Sequence, residues 1–180
     1  MKCLKATRLL LVCHAGTQAQ RQGRFPTAEE PIEAALPPTG EFPGTLLCAP
    51  ERRCCDSAAL LGHATRCGAL RDCDFGRWQG RSLKELEQAE PAALSRWLQD
   101  PAATPHAGES LVALCERVGQ WLDALPPGQY TAVTHPWVMR AAFIRGLQLP
   151  VACAAQLDIA PWARLRLSRV GVWRVRLGSE

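Results

Sequence analysis

Short apolar runs along this chain alternate with longer stretches in which apolar residues recur every three or four positions. Residues 8–13 and 130–134 and the similar segment Thr45–Pro50 have the length and composition of buried strands. The stretches with helical spacing are about 51–61, 82–99 and 108–125. Strands that alternate with helices predict an α/β sandwich.

The C-terminal segment has a period of two instead. Polar and apolar residues alternate from Arg164 to Arg176 on both sides of Gly171, which predicts a terminal hairpin with one solvated face. Glycine and proline cluster at 37–44, 101–108 and 126–128, and these short segments are predicted to be loops rather than domain linkers. We therefore expect residues 1–180 to form a single domain.

Composition and charge narrow the classes of function. Hydrophobic residues make up 47% of the chain and charged residues 21%, which is typical of a globular protein. The net charge of +4 is modest and suits a partner the size of phosphate as well as a larger anion. Alternation projects the five arginines of the hairpin to one side, where they form either a nucleic-acid stripe or a solvated strand face. The solvated face is favoured, so a nucleic-acid partner is not expected.

The cysteines and the start of the chain indicate the compartment. Nine cysteines without paired Cys-x-x-Cys clusters favour free thiols over disulfides or a structural zinc site. Met1–Lys5 is basic, but the following apolar run, Leu9–Cys13, is too short for a signal-peptide core or a membrane span. We expect a cytoplasmic protein that has no membrane partner.

Two histidines directly follow two of the predicted strands. His14 comes after the run Leu9–Cys13, and His135 comes after Ala132-Val133-Thr134. Open α/β sheets assemble their sites at the carboxyl ends of strands, so we expect the two imidazoles to share one pocket.

Five segments that carry these and other polar residues follow one another along residues 8–145. They are Cys13-His14-Ala15-Gly16-Thr17, Ala49–Ala58, Leu70–Gly80, Pro105–Ser110 and Val133–Arg140. Together they resemble the motifs of the histidine phosphatase superfamily, in particular its small alpha-ribazole-phosphatase-type members. Those motifs are Arg-His-Gly-x-Thr, Ser-Pro-x-x-Arg-Ala-x-x-Thr-Ala, Leu-x-Glu-x-x-Phe-Gly-x-Trp-Glu-Gly, Gly-Gly-Glu-Ser and Ser/Thr-His-Gly-Gly-Val-x-Arg. The resemblance implies a phosphoglycerate-mutase-like fold, a three-layer α/β/α sandwich with a mostly parallel central sheet.

The resemblance also implies a metal-independent phosphomonoesterase without a cofactor, which acts on a small phosphorylated metabolite through a phosphohistidine. His14 would be the nucleophile, and Asp72, in the place of the family's glutamate, would be the general acid and base. Arg53 and His135 would stabilise the phosphoryl oxygens, a task that suits the planar guanidinium fork. Further contacts to phosphate or substrate are expected from Cys13, Thr17, Arg21, Arg24 and Glu109.

The chain departs from the family pattern most clearly beside the nucleophile. The family's arginine before it is Cys13 here, and the glycine after it is Ala15. Loss of one preorganised donor costs roughly 3–4 kcal/mol of transition-state stabilisation. Arg21 and Arg24, in the following loop, are the candidates to compensate. Cys13 itself is either a small filler or a thiol made reactive by nearby cations.

Other departures leave alternatives open. Residues 29–44 are too short and too rich in proline for the family's long helix, so we expect a shortened helix or an open pocket edge. Asp74 and Glu109 are alternatives to Asp72 as the acid. The alternative function is that of a catalytically degraded family member that binds a phosphorylated ligand or a protein partner.

Overall fold

A six-stranded sheet organises the computed structural model, which describes residues 6–176. The strand order is β3-β2-β4-β1-β5-β6. Pairing is parallel from β3 to β1 and antiparallel between β1, β5 and β6, which confirms the mostly parallel sheet. The strands are β1 (Thr7–Cys13), β2 (Thr45–Cys48), β3 (Thr65–Arg66), β4 (Gly128–Thr134), β5 (Arg164–Val170) and β6 (Val172–Arg176).

The helices match the predicted segments with three differences, the first of which is a short helix at Gln18–Arg21 that was not predicted. The predicted helix over 82–99 is two helices, because Pro91 has no N–H to continue the first and forces Glu90 out of the helical region. The last helix was not predicted, because buried residues lie on all of its sides and the sequence therefore shows no apolar stripe. The helices are α1 (Gln18–Arg21), α2 (Arg52–Ala59), α3 (Leu83–Ala89), α4 (Pro91–Gln99), α5 (Leu111–Ala124) and α6 (Pro136–Leu147). Within residues 6–176, no helix is long and apolar enough to cross a membrane.

Helices cover both faces of the sheet. On one face, α6 packs so closely that a Cβ at Gly146 would lie 3.0 Å from Leu167 and 3.2 Å from Val175. The strand register places Leu46 on the opposite face of the sheet. There its Cδ2 lies 3.8 Å from where a Cβ of Gly62 would be, and Gly62 directly follows the end of α2, so α2 lies against this second face. The three-layer α/β/α fold is therefore confirmed.

On the second face, no helix of the described part of the chain covers β1, β5 and β6. The shortened helix expected over residues 29–44 is absent, and residues between Pro38 and Pro43 line this face instead. The exposed half of the face borders a cavity of about 990 Å³, whose lining includes Arg8, Arg164, Arg166 and Arg176. The predicted hairpin turns at Gly171, where φ is +84°, a value that favours glycine.

The five hairpin arginines do not share one side, contrary to expectation. Arg169 points away from the open face and donates to the carbonyl oxygens of Leu122, Asp123 and Leu125 at the end of α5. Arg166 and Arg176 pair with each other across β5 and β6, and they lie on the other face because Arg166 is three residues from Arg169 along β5. A strand period of two therefore divides the arginines between the faces.

Candidate active site

The ends of two neighbouring parallel strands bring His14 and His135 together. Cys13 pairs with Thr134, and the backbone N–H of His14 donates to the carbonyl oxygen of Thr134 at 3.0 Å. The two rings meet edge to face with centroids 5.4 Å apart, and both side chains are buried. The structure therefore places the two histidines side by side at the carboxyl edge of the sheet, but only His14 lines the cavity there, and His135 is completely buried.

His14 is held in one tautomer. Its Nδ1 lies 2.7 Å from the carbonyl oxygen of Ala15, and since a carbonyl can only accept, Nδ1 carries the hydrogen and Nε2 keeps its lone pair. Burial and the charge of His135 lower the pKa of His14 to about 3, although the Ala15 carbonyl opposes this change. The imidazole is therefore neutral near pH 7, the form that can attack phosphorus.

Arg53 lies on α2 with its side chain 2% exposed. One terminal nitrogen donates to the carbonyl oxygen of Thr27 at 2.8 Å, and the other donates to Oδ2 of Asp72 at 2.5 Å. Its Nε is buried and has no hydrogen-bond partner within residues 6–176. Buried donors are almost always satisfied, so this unpaired N–H is an exception among the described residues.

Asp72 follows a 3₁₀ turn, Gly68–Leu70, and faces the histidines. Its Oδ1 accepts from the N–H of Cys73 at 2.9 Å, and Oδ2 lies 3.5 Å from Nδ1 of His135. The alternative acids are placed elsewhere: Asp74 accepts from the N–H of Gly76 and lies outside this pocket's lining. Of the three candidates, only Asp72 reaches the reacting groups.

Glu109 and Arg21 are predicted site residues that the structure does not bring to the pocket. Both Glu109 oxygens accept from Arg117, at 2.8 and 2.7 Å, and Arg71 lies 3.6 Å away. Arg21 is 73% exposed and pairs with Glu33 at 2.7 Å. A compensating cation must therefore come from another position.

Arg24 and Thr17 do line the pocket. Nε of Arg24 donates to Gln22 at 2.7 Å, and a terminal nitrogen lies 3.7 Å from Glu30, which holds the guanidinium at the rim. The Thr17 hydroxyl accepts from the N–H of Gln20 at 3.3 Å and so caps α1. Of the two candidate arginines, Arg24 is therefore the one that can compensate for Cys13.

Cys13 is completely buried at the end of β1. Burial and the negative charge of Asp72 raise the pKa of the Cys13 thiol to about 12, although Arg53 opposes this change. The thiol stays protonated near neutral pH, so it supplies neither the charge of the family's arginine nor a reactive thiolate. The filler interpretation fits the structure.

Glu51 is a site residue that sequence reasoning missed, since the family pattern leaves its position unspecified. Its Oε2 accepts from Nε2 of His135 at 2.8 Å, and its Oε1 accepts from the N–H of Asp72 at 3.0 Å. Burial raises the pKa of Glu51, but hydrogen bonds from His135 and the backbone outweigh burial and hold it at about 2. Glu51 is therefore a carboxylate that orients the His135 ring, so that Nδ1 of His135 faces Asp72.

His14, Arg53 and Asp72 line one cavity of about 330 Å³, whereas His135, Glu51 and Cys13 are not among its lining residues. Besides His14, Arg53 and Asp72, it is lined by the cations Arg24 and Arg140 and by a largely apolar wall. Arg140 was also missed as a pocket residue, although it ends the last family motif. The apolar lining residues are Phe25, Pro26, Phe75, Leu83, Trp97, Leu98, Pro136, Trp137 and Ile159.

Several known proteins are similar to this chain. An acid phosphatase of Mycobacterium tuberculosis is 30% identical over 166 residues, which cover 81% of this chain and 78% of that protein. A bifunctional protein of the same organism is 30% identical over 138 residues, and the match covers 68% of this chain and 38% of that longer protein. A putative alpha-ribazole-5'-P phosphatase from Escherichia coli, 21% identical, has the same fold with a TM-score of 0.82 over 95% of each chain.

A family model also matches most of the chain. It is described as the histidine phosphatase superfamily (branch 1), and it matches residues 9–175, a range that includes every site residue described above. With the histidine pair, the buried arginine and the carboxylate in the family's order, this chain belongs to the histidine phosphatase superfamily, branch 1.

Proposed function

We propose that this chain is a phosphomonoesterase that acts on a small phosphorylated metabolite through a phosphohistidine at His14. The observation that carries the proposal is the pairing of a neutral His14, with Nδ1 tied to Ala15, and a buried Arg53 whose Nε lacks a partner in residues 6–176. A nucleophile and an unused donor for a phosphoryl oxygen then face the same cavity. Relatives named acid phosphatase and glucosyl-3-phosphoglycerate phosphatase support the same class of reaction.

The reaction takes place as two displacements. In the first, Nε2 of His14 attacks phosphorus, the bond from phosphorus to the ester oxygen breaks, and Asp72 gives the leaving alcohol its proton. In the second, water attacks the phosphohistidine, Asp72 takes a proton from that water, and the bond to Nε2 breaks. The products are alcohol and phosphate, and His14 returns to its starting form.

Arg53 connects binding to protonation in this scheme. In the structure its terminal nitrogen donates to Asp72 at 2.5 Å. A phosphoryl oxygen that takes over this donor frees the Asp72 carboxyl to hold the proton that the leaving alcohol needs. Guanidinium donors from Arg53 and Arg24 supply the positive charge that the transition state requires.

The test is hydrolysis of 4-nitrophenyl phosphate from pH 5 to 8 in the presence of a chelator, with His14→Ala measured in parallel. We expect the variant to lose activity by at least about a thousandfold, as loss of a covalent nucleophile does in other hydrolases. His63→Ala, at an exposed loop position, is the control and should match the wild type. Equal activity in wild type and His14→Ala would refute the proposal.

The neutral residue at position 13 favours one second candidate, a member that binds phosphorylated ligands without turning them over. It predicts no hydrolysis by the wild type together with binding of inorganic phosphate that Arg53→Met abolishes. Isothermal titration with phosphate distinguishes it from the enzyme. Acid-labile phosphate covalently bound to the wild type, and absent from His14→Ala, would exclude this second candidate.

A further inference from the structure

The cavity that contains His14 extends away from the reacting groups along an apolar wall. An adjoining cavity of about 250 Å³ shares part of this wall, including Phe75, Trp97 and Trp137. Small-molecule sites have volumes of roughly 300–1,000 Å³, so the two cavities provide room for a leaving group larger than glycerol. Leu83 and Leu98 also line the first cavity and are 45% and 65% exposed. Apolar side chains left exposed beside a pocket are typical of a ligand-binding surface.

Trp137 is the distinctive member of this wall. It lies two residues after His135, where the family motif has glycine. Its ring packs edge to face on Trp97 with centroids 5.8 Å apart, and the guanidinium of Arg140 lies 4.4 Å from its centroid. Arg140 is in turn held by a 2.7 Å hydrogen bond from Nε to the carbonyl oxygen of Leu157. The indole is therefore braced on two sides beside the reacting groups.

The wall itself consists largely of apolar side chains, and the acceptor oxygens of Thr17 and Gln20 beside it are already paired. Thr17 and Gln20 form a capping box in which each side chain accepts from the other residue's backbone N–H. A polyhydroxylated or carboxylated alcohol would lose water at this wall and gain few hydrogen bonds in return, which is unfavourable. A flat apolar ring would gain both hydrophobic burial and edge or face contacts with the indoles.

We propose that the preferred substrates are phosphate monoesters whose alcohol carries an aromatic ring, and that Trp137 and Trp97 bind this ring. The inference rests on the proposed phosphatase function of His14. It assigns the apolar wall to the leaving group, and the arginines to the phosphate.

The test compares esters that differ in the ring alone. Phenyl esters have better leaving groups than alkyl esters, so all substrates are phosphates of primary alcohols: 2-naphthylmethyl, benzyl, cyclohexylmethyl and glycerol 3-phosphate. We expect kcat/KM to fall in that order, with 2-naphthylmethyl phosphate favoured over glycerol 3-phosphate by about tenfold or more, as apolar pockets discriminate. The cyclohexyl ester separates aromatic contact from simple apolar burial.

Variants identify the residues responsible. Trp137→Gly, which introduces the family's residue, and Trp97→Ala should each reduce the preference for ring-bearing esters to about onefold, through kcat as well as KM. Trp137→Phe should retain most of it. Trp121→Phe is the control, because this half-buried tryptophan of α5 lies outside both cavities. Thermal unfolding of each variant separates loss of selectivity from loss of fold.

The outcomes distinguish the inference from the function on which it rests. Equal or better use of glycerol 3-phosphate, unchanged by Trp137→Gly, would overturn the inference and leave the phosphatase intact. If no ester is hydrolysed, the phosphatase proposal fails, and binding of non-hydrolysable phosphonates decides the inference. Binding of 2-naphthylmethylphosphonate about tenfold tighter than 2,3-dihydroxypropylphosphonate would support it, and equal binding would overturn it.

Discussion

Acid should destabilise the folded protein through His14, and the size of the effect follows from its pKa. Burial and the charge of His135 lower that pKa from 6.5 in the unfolded chain to about 3 in the folded one. Below pH 6.5 the unfolded chain binds a proton at this position, and the folded protein does not. The stabilisation is therefore complete above pH 6.5 and is lost as the pH falls towards 3.

The window from pH 7 to pH 5 isolates this group from Glu51. The pKa of Glu51 is 4.5 in the unfolded chain and about 2 in the folded protein. Its contribution to the free energy of unfolding therefore changes mainly below pH 5. Between pH 7 and 5, protonation of His14 in the unfolded chain lowers the free energy of unfolding by about 2 kcal/mol. For a chain of this size that corresponds to a fall of roughly 4–8 °C in Tm.

The assay is urea unfolding at pH 7 and pH 5 for the wild type and His14→Asn. The asparagine amide can still donate to the Ala15 carbonyl but does not titrate, so the variant should lose about 2 kcal/mol less than the wild type. His63→Asn removes an exposed histidine and should behave as the wild type. If His14→Asn and the wild type lose the same free energy between the two pH values, His14 is not buried as the neutral imidazole, and the reasoning is refuted.

Two further predictions concern the groups around the phosphate. Arg24→Ala should lower kcat/KM by about a hundredfold, the typical effect of removing one donor at a developing charge, whereas Arg21→Ala should leave it unchanged because Arg21 points to Glu33. Equal effects in the two variants would contradict the placement of Arg24. Glu51→Ala should lower kcat/KM by about a hundredfold, since a misplaced catalytic group has an effect of that size. Glu51→Gln keeps an acceptor for His135 and should lose much less; equal losses would show that charge, not orientation, is what Glu51 provides.

Local patterns predicted most of the fold. The three parallel strands and the terminal hairpin form where apolar runs and the alternation around Gly171 place them. α6 was missed because an apolar surface on all sides has no helical period to detect, and β3 because it has two exposed residues. The break at Pro91 follows from local chemistry and was detectable in the sequence.

Part of the candidate site was likewise predictable from local sequence, and part was not. Strand ends predicted that His14 and His135 would meet, because parallel neighbours end at one edge of a sheet. Glu51 reaches His135 across 84 positions in the sequence, and nothing local to either residue indicates that contact. Arg21 was equally plausible as Arg24 from the sequence, and only the direction of each side chain separates them.

The absence of arginine at position 13 and the presence of Trp137 have a common consequence for binding. The neutral Cys13 thiol stands where the family pattern has arginine, and Arg24 is left to compensate from the rim of the pocket. Binding energy from a part of the substrate that does not react can position the part that does. In the proposed scheme, a ring held at Trp137 supplies that energy and keeps phosphorus in line with His14. Small esters without a ring therefore lose turnover as well as affinity, because they lack the anchor that substitutes for the arginine.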